Sequence, residues 1–323
     1  MSDSKASIAI PLGAILVACA ATALWVRHRA ANAERQSPPS GHMLHIDGVR
    51  LHYTDRGEVP AVVLLHGNGV QLEDFTASGL VDSLARRHRV IAFDRPGFGY
   101  TERPRRRIWT PQAQATLLWQ ALRQLGVERP IIVGHSWGTL TAIAMGLAEP
   151  EEVSGLVLVS GYYYPTARPD VLFNIPGALP LVGDVLRYTL LPLAWRLGLA
   201  RGVRTMFAPA PVPPDFLDIV PREMMLRPIQ LRAASEEATS MIPAVSKLRK
   251  SYHQLTMPVA IIAGRDDTIV DVSRHSERLH HDIPHSTLTV EPGAGHMVHH
   301  SHALAVVNAV SAQAGTGLHL VVG

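Results

Sequence analysis

Ile131-Ile132-Val133-Gly134-His135-Ser136-Trp137-Gly138-Thr139 is the stretch that decides how this chain folds. Three apolar residues lead in, a Gly-x-Ser-x-Gly pattern makes the corner, and small or helix-forming residues (Thr139, Ala142, Ala144, Met145, Leu147, Ala148) lead out. That pattern predicts strand, sharp turn and helix in immediate succession. A serine at such a turn takes strained backbone angles, and glycines at 134 and 138 leave room where side chains would collide with the adjoining strand and helix. Its hydroxyl then stands at the C-terminal edge of a sheet. Because Gly-x-Ser-x-Gly also arises by chance, its meaning depends on whether a base, an acid and oxyanion donors follow at suitable places.

Working outward, the segments on either side are also strands and helices in alternation. Met43-Leu44-His45-Ile46 and Val49 to Thr54 flank Asp47-Gly48, the signature of a two-residue hairpin. Ala61-Val62-Val63-Leu64-Leu65 is a continuous apolar run, as a strand buried on both faces requires. A helix around Gly79 to Arg87, a strand Arg89 to Phe93, a helix from Trp109 to Leu125 and a strand Val153 to Ser160 complete the first half. Such alternation demands right-handed crossovers and a mostly parallel sheet. From 162 to 256 no strand-like run occurs, prolines are frequent, and short helices are expected at Val185 to Leu197 and Arg222 to Ser235. This stretch reads as a helical cap inserted into a core of residues 43–161 and 257–314. The core resumes with a strand at Val259 to Ala263, a helix near Val272 to His281, a strand Ser286 to Val290 and a last helix near His302 to Ala314. Residues 315–323 form a tail with no assignment.

The N-terminus differs in kind. From Ala6 to Val26 there is no charged residue, and roughly 20 apolar residues suffice to cross a bilayer as a helix. Residues 1–29 are therefore expected to be a single-pass membrane anchor and 30–42, with Ser37-Pro38-Pro39-Ser40, a tether. A cleaved signal peptide, or a lipoprotein signal ending at Cys19, is the rival reading. Arg27, Arg29 and Arg35 outnumber Lys5, so the positive-inside rule places the catalytic domain in the cytoplasm. Across the 323 residues, 47% are hydrophobic, ample for a large core, and the net charge of +3 is scattered without an aromatic-basic stripe, which argues against a nucleic-acid partner. A single cysteine excludes an intrachain disulfide and a cysteine metal site.

Acyl transfer by a serine needs a base, a carboxylate that orients it, and two donors for the oxyanion. His296 lies in Gly293-Ala294-Gly295-His296, just past the last strand, and is the candidate base. Asp267, in Gly264-Arg265-Asp266-Asp267 after the preceding strand, is the candidate acid, with Asp266 as its rival. The backbone N–H groups of Asn68, in the loop His66-Gly67-Asn68-Gly69, and of Trp137 are the candidate oxyanion donors.

Taken together, His66-Gly67-Asn68-Gly69, Asp94 to Gly99, Gly134-His135-Ser136-Trp137-Gly138, Gly264 to Asp267 and Gly293 to His296 resemble the α/β-hydrolase superfamily over about Met43 to Ala314. The resemblance implies an eight-stranded sheet, a cap domain that forms the substrate pocket, and a Ser136-His296-Asp267 triad. His-Gly-Asn and x-Trp-Gly are also similar to haloalkane dehalogenases, in which Asn and Trp side chains hold the halide. Those enzymes use an aspartate nucleophile, as do the cap-bearing epoxide hydrolases, so a serine at 136 sets both activities aside.

The expected function is hydrolysis of a small, apolar carboxylic ester, with no cofactor and no metal. Amide, thioester or lactone hydrolysis and cofactor-free perhydrolysis stay open, as does a catalytically idle binding protein; the oligomeric state is not readable. Among 17 histidines, the run His296-x-x-His299-His300-x-His302 mimics a metal site, but with no cysteine nearby it reads as solvated residues at a helix start. His135 is expected to pack beside the turn and His66 to shape the oxyanion loop. Arg103, Arg105, Arg106 and Arg107 form a basic run, either a solvated face or a contact for anionic lipid headgroups. Tyr162-Tyr163-Tyr164 either line the pocket or pack.

Overall fold

A computed structural model describes residues 3–315, so the tail expected from 315 onward lies, past Gly315, outside the described residues. In chain order the elements are α1 Asp3–Gln36, β1 His42–Ile46, β2 Val49–Arg56, β3 Ala61–Leu65, α2 Glu73–Ala77, α3 Leu80–Ala85, β4 Arg89–Phe93, α4 Pro111–Gln124, β5 Ile131–His135, α5 Gly138–Ala148 and β6 Gly155–Val159. They continue with α6 Ile175–Ala178, α7 Val182–Tyr188, α8 Leu190–Phe207, α9 Phe216–Ile219, α10 Arg222–Met225, α11 Pro228–Leu248, β7 Val259–Gly264, α12 Arg278–Asp282, β8 Thr287–Glu291, α13 Val298–Ser301 and α14 Ala303–Gln313.

All eight strands join one sheet in the order β1-β2-β4-β3-β5-β6-β7-β8. The β1/β2 and β2/β4 pairs are antiparallel and the other five are parallel. Asp47 (φ 48°) and Gly48 (φ 70°) turn the β1-β2 hairpin in the left-handed region, as the Asp-Gly pair demands. The register of β3 on β5 sets Val63 beside Ile132 and Leu65 beside Gly134, so the loops after these two strands are neighbours.

Burial explains the continuous apolar runs. Val63, Leu65, Ile91 and Ile132 pack on one face with α4 and α5, while Val62, Leu64, Val90 and Val133 pack on the other with α3 and α14. Alternate residues of each strand thus enter separate layers, each side chain contributing about 1.5–3 kcal/mol. Capping fits the local sequence: Thr110 accepts from the Ala113 N–H at the start of α4, and Pro111 occupies the first turn.

Between β6 and β7 the chain makes a wholly helical excursion, α6 to α11, over the C-terminal strand ends. The expected Val185 to Leu197 helix is two helices, α7 and α8, and the helix expected to end at Ser235 runs on to Leu248.

The N-terminal stretch departs from expectation at its tether. Residues 30–36 continue α1, and Val26 and Ala33 are buried against the rest of the molecule. Lack of apolar periodicity in Ala30-Ala31-Asn32-Ala33-Glu34-Arg35-Gln36 hides its composition of strong helix formers, which ion pairs of Arg29 with Glu223 and Glu34 with Arg227 hold in place. Leu12–Gln36 is long and apolar enough to cross a membrane.

Candidate active site

Ser136 sits in the turn between β5 and α5 with φ 51°, a left-handed backbone that costs a serine about 1–3 kcal/mol. Its own N–H donates to the Val159 carbonyl of β6 at 2.8 Å, which holds the strained turn against the sheet. The flanking glycines are sterically required. A Cβ at residue 138 would lie 2.1 Å from the Leu65 carbonyl oxygen of β3, and one at residue 134 would lie 2.7 Å from the Gly138 oxygen. Close approach of β3, β5 and α5 is what lifts the hydroxyl out of the sheet edge.

Two loops from the far end of the sheet converge on that hydroxyl. His296, in the loop between β8 and α13, lies with Nε2 2.9 Å from Ser136 Oγ and Nδ1 2.8 Å from Asp267 Oδ2. The other oxygen of Asp267 accepts the N–H groups of Ile269 (2.7 Å) and Val270 (2.9 Å), so the carboxylate is fixed from both sides. Asp266, its rival in the sequence, is exposed and accepts from the Gly293 N–H instead. With Nδ1–H donated to the carboxylate, Nε2 is free to accept the serine proton, an arrangement competent for nucleophilic attack on a carbonyl.

Asn68 and Trp137 are brought to the same corner, as the register of β3 on β5 requires. Among the described residues, no loop or turn carbonyl accepts from either backbone N–H. Their side chains are engaged elsewhere: Asn68 Nδ2 donates to the Ala234 carbonyl at 3.1 Å and Trp137 Nε1 to the Glu237 carbonyl at 3.3 Å. Both carbonyls belong to α11. The two groups that would grip a halide in the dehalogenase analogy thus bind the helix overhead.

Beneath them lies a buried ion pair that sequence reasoning missed. Arg95, after β4, meets Glu237 of α11 at 2.5 and 3.0 Å, both side chains fully buried. Gln114 donates to the same carboxylate, and Arg95 also donates to the carbonyls of His66 and Gly67 while its guanidinium lies 4.7 Å from the Trp137 ring centre. His66 donates through Nδ1 to the Gly67 carbonyl and accepts the Arg95 N–H at Nε2. Burial, reinforced by the Arg95 charge, pushes its pKa down to about 3, so it is neutral and shapes the loop carrying Asn68. Arg95 sits in a motif that the sequence displays, but nothing local marks Glu237 as its partner.

The expectation that His299 and His300 are solvated fails. Their side chains are buried, and their Nε2 atoms lie 3.0 and 2.9 Å from the two oxygens of fully buried Asp74 in α2. A buried carboxylate needs two strong donors, and adjacent imidazoles supply them. Burial alone would raise the Asp74 pKa, but His299 and His300 together hold it well below the carboxylate range. Nδ1 of each histidine has no hydrogen-bond partner among the described residues, so it is Nε2 that carries the hydrogen donated to Asp74. His135 stacks on His299, donates Nε2–H to the His296 carbonyl at 3.1 Å, and has its pKa lowered by burial and by His299 and His296. This packing ties the loop of the candidate base to α2. Asp74, His135 and His299 are also the group of described residues whose donor atoms are close enough to hold a metal ion. Each Asp74 oxygen already has an imidazole donor, at 3.0 and 2.9 Å.

The basic run after β4 is paired rather than free: Arg103 with Glu236, Arg105 with Asp184, and Arg107 with Asp47. Tyr162, Tyr163 and Tyr164 are core residues, with the Tyr164 hydroxyl donating to Asp282 at 2.7 Å.

With this geometry in view, the similarities to known proteins are consistent. The family model described as alpha/beta hydrolase fold matches residues 60–303. An uncharacterized protein of Mycobacterium tuberculosis is 30% identical over 274 residues, 82% of this chain and 78% of its own length. A 2-hydroxymuconate semialdehyde hydrolase of a Pseudomonas species is 34% identical over 142 residues, 42% of this chain and 48% of its own. Among solved structures, an alpha/beta hydrolase fold protein from Burkholderia ambifaria superposes with a TM-score of 0.68 at 23% identity, covering 83% of this chain and 96% of that one.

Proposed function

Since this chain belongs to the alpha/beta hydrolase fold family, whose relatives include hydrolases, we propose that it is a membrane-anchored serine hydrolase cleaving a carboxylic ester. The observation that carries this reading is the unbroken line from Ser136 Oγ through His296 to Asp267, at 2.9 and 2.8 Å.

In this mechanism His296 Nε2 takes the Ser136 proton as Oγ attacks the ester carbonyl, and the carbonyl oxygen gains charge. The backbone N–H groups of Asn68 and Trp137 stabilise that oxyanion. His296 then gives its proton to the departing alkoxide, leaving an acyl-serine. A water deprotonated by His296 attacks the acyl carbon, and Ser136 regains its proton as the acid leaves. Asp267 keeps His296 in the required tautomer and stabilises its charged form. No cofactor enters any step.

Expected in the test, Ser136→Ala lowers turnover of a p-nitrophenyl ester by about a thousandfold or more while the variant stays folded. A fluorophosphonate is expected to label Ser136 and nothing else. Unchanged turnover in Ser136→Ala, or labelling at another residue, would overturn the assignment. Esters of graded acyl length, run beside amide and thioester analogues, define the substrate. The anchor is the uncharged stretch of residues 6–26 within α1, with Arg27, Arg29 and Arg35 after it favouring a cytoplasmic site.

A further inference from the structure

The helices between β6 and β7 expose large apolar side chains on the side where α1 parts from the molecule. Phe173, Leu181 and Leu197 are 84%, 80% and 87% exposed, and Val185 and Leu190 are exposed as well. All lie on or next to α6, α7 and α8. Scattered surface leucines need no explanation, but this many large exposed apolar side chains within one run of neighbouring helices marks an interaction surface.

The position of α1 says what covers it. The C-terminal part of α1 is docked: Val26 is buried, Arg29 pairs with Glu223, the Arg196 guanidinium lies 5.4 Å from the Trp25 ring centre, and Arg27 lies 5.9 Å from the Tyr188 ring centre. Toward the N-terminus α1 becomes bare, and Leu12, Leu16 and Leu24 are 55%, 62% and 67% exposed. The stretch from residue 6 to residue 24 spans about 28 Å as a helix, close to the hydrocarbon thickness of a bilayer. A bilayer that takes up this stretch therefore has its surface at Trp25, an aromatic suited to that interface. Tyr188 and Arg196, at the same level, belong to α7 and α8, the helices that carry the exposed side chains. Further along α8, Arg201 and Arg204 are exposed, and arginines so placed suit the headgroup charge of an anionic membrane.

We propose that the face from Phe173 to Leu197 docks on the lipid bilayer that holds α1, with its apolar side chains at the headgroup–acyl boundary. The inference rests on reading α1 as the membrane segment. It goes beyond that reading because a helix spanning the bilayer could equally hold the molecule clear of it. A second copy of this chain is the competing occupant. Continuity of the patch with the bare part of α1 favours lipid.

The test uses the full chain with Cys19→Ser and a fluorophore sensitive to its surroundings on Phe173→Cys, Leu197→Cys or Glu151→Cys. The first two residues are exposed on the patch, and Glu151 is exposed at the opposite edge of the sheet. Each protein is reconstituted into phosphatidylcholine–phosphatidylglycerol vesicles with and without a spin-labelled lipid. Expected is several-fold quenching at positions 173 and 197 and none at 151. Vesicles that float with the protein while 173 and 197 are quenched no more than 151 overturn the docking and leave the anchor standing. A blue-shifted signal at 173 without lipid quenching assigns the face to a second copy and also overturns it. Protein that does not float with vesicles overturns both the anchor and the docking.

Discussion

Ser136, His296 and Asp267 come from three loops that meet only because β5, β7 and β8 end on the same edge of the sheet. The roles proposed for them are separable by substitution. Asp267→Asn keeps the shape but offers an amide N–H where Nδ1–H must donate, so the wrong tautomer is favoured. It is expected to lower kcat by about a thousandfold to ten-thousandfold, whereas Asp266→Asn, at an exposed loop bond, changes kcat only a few-fold. Steady-state rates on one ester, with far-ultraviolet circular dichroism to verify folding, distinguish the two. Equal losses would move the acid to the loop as a whole.

At the scale of elements, α11 acts as the clamp between the helical excursion and the sheet. Pro228 starts it, and Pro243 within it removes one intrahelical donor, yet it extends to Leu248 because its face toward the core is apolar. Arg95–Glu237 is the polar part of this contact, and it holds three things in register: α11, the Asn68 loop and the Trp137 turn. Removing one charge leaves the other buried and unpaired. Glu237→Gln is therefore expected to destabilise the protein by about 3–5 kcal/mol in urea unfolding, and Arg95→Met with Glu237→Leu by less than Glu237→Gln alone. A Glu237→Gln midpoint equal to that of the unaltered protein would mean the pair does not hold the excursion.

Across the whole molecule, buried neutral imidazoles set the pH range of stability. His66 falls to about 3 and His275 to about 4 through burial, and burial likewise lowers His135 and His299. Each binds a proton in the unfolded chain near pH 6.5 but not in the folded one. Their stabilisation is complete above that pH and is lost as pH falls toward their folded values. Asp74, whose folded pKa is depressed, adds a loss in the same direction at lower pH. His66 alone is worth about 2 kcal/mol between pH 7.5 and pH 5. The melting temperature is expected to drop by well over 5 °C across that interval, and a flat profile would show that these histidines are solvated. The docked base of α1 gives the molecule its second polarity: Arg227–Glu34 and Arg29–Glu223 lock the helix to the side that also bears the apolar patch.

What the sequence determined by itself is local in origin. Double-faced strands announce themselves as unbroken apolar runs, Asp47-Gly48 as a hairpin turn, and Gly134 and Gly138 as a corner where no side chain fits, so the sheet and the meeting of Ser136 with His296 and Asp267 were legible. The helix of residues 30–36 is misread from sequence because its buried contact, Ala33, is small and set among polar residues. Only the tertiary structure decided the partners of buried charge. Arg95 and Glu237 are 142 positions apart, and Asp74 and His299 are 225 apart. Such pairings have no local pattern: each polar group is stable in the interior only beside a particular donor or acceptor, and which one arrives there is set by how the helices pack over the sheet.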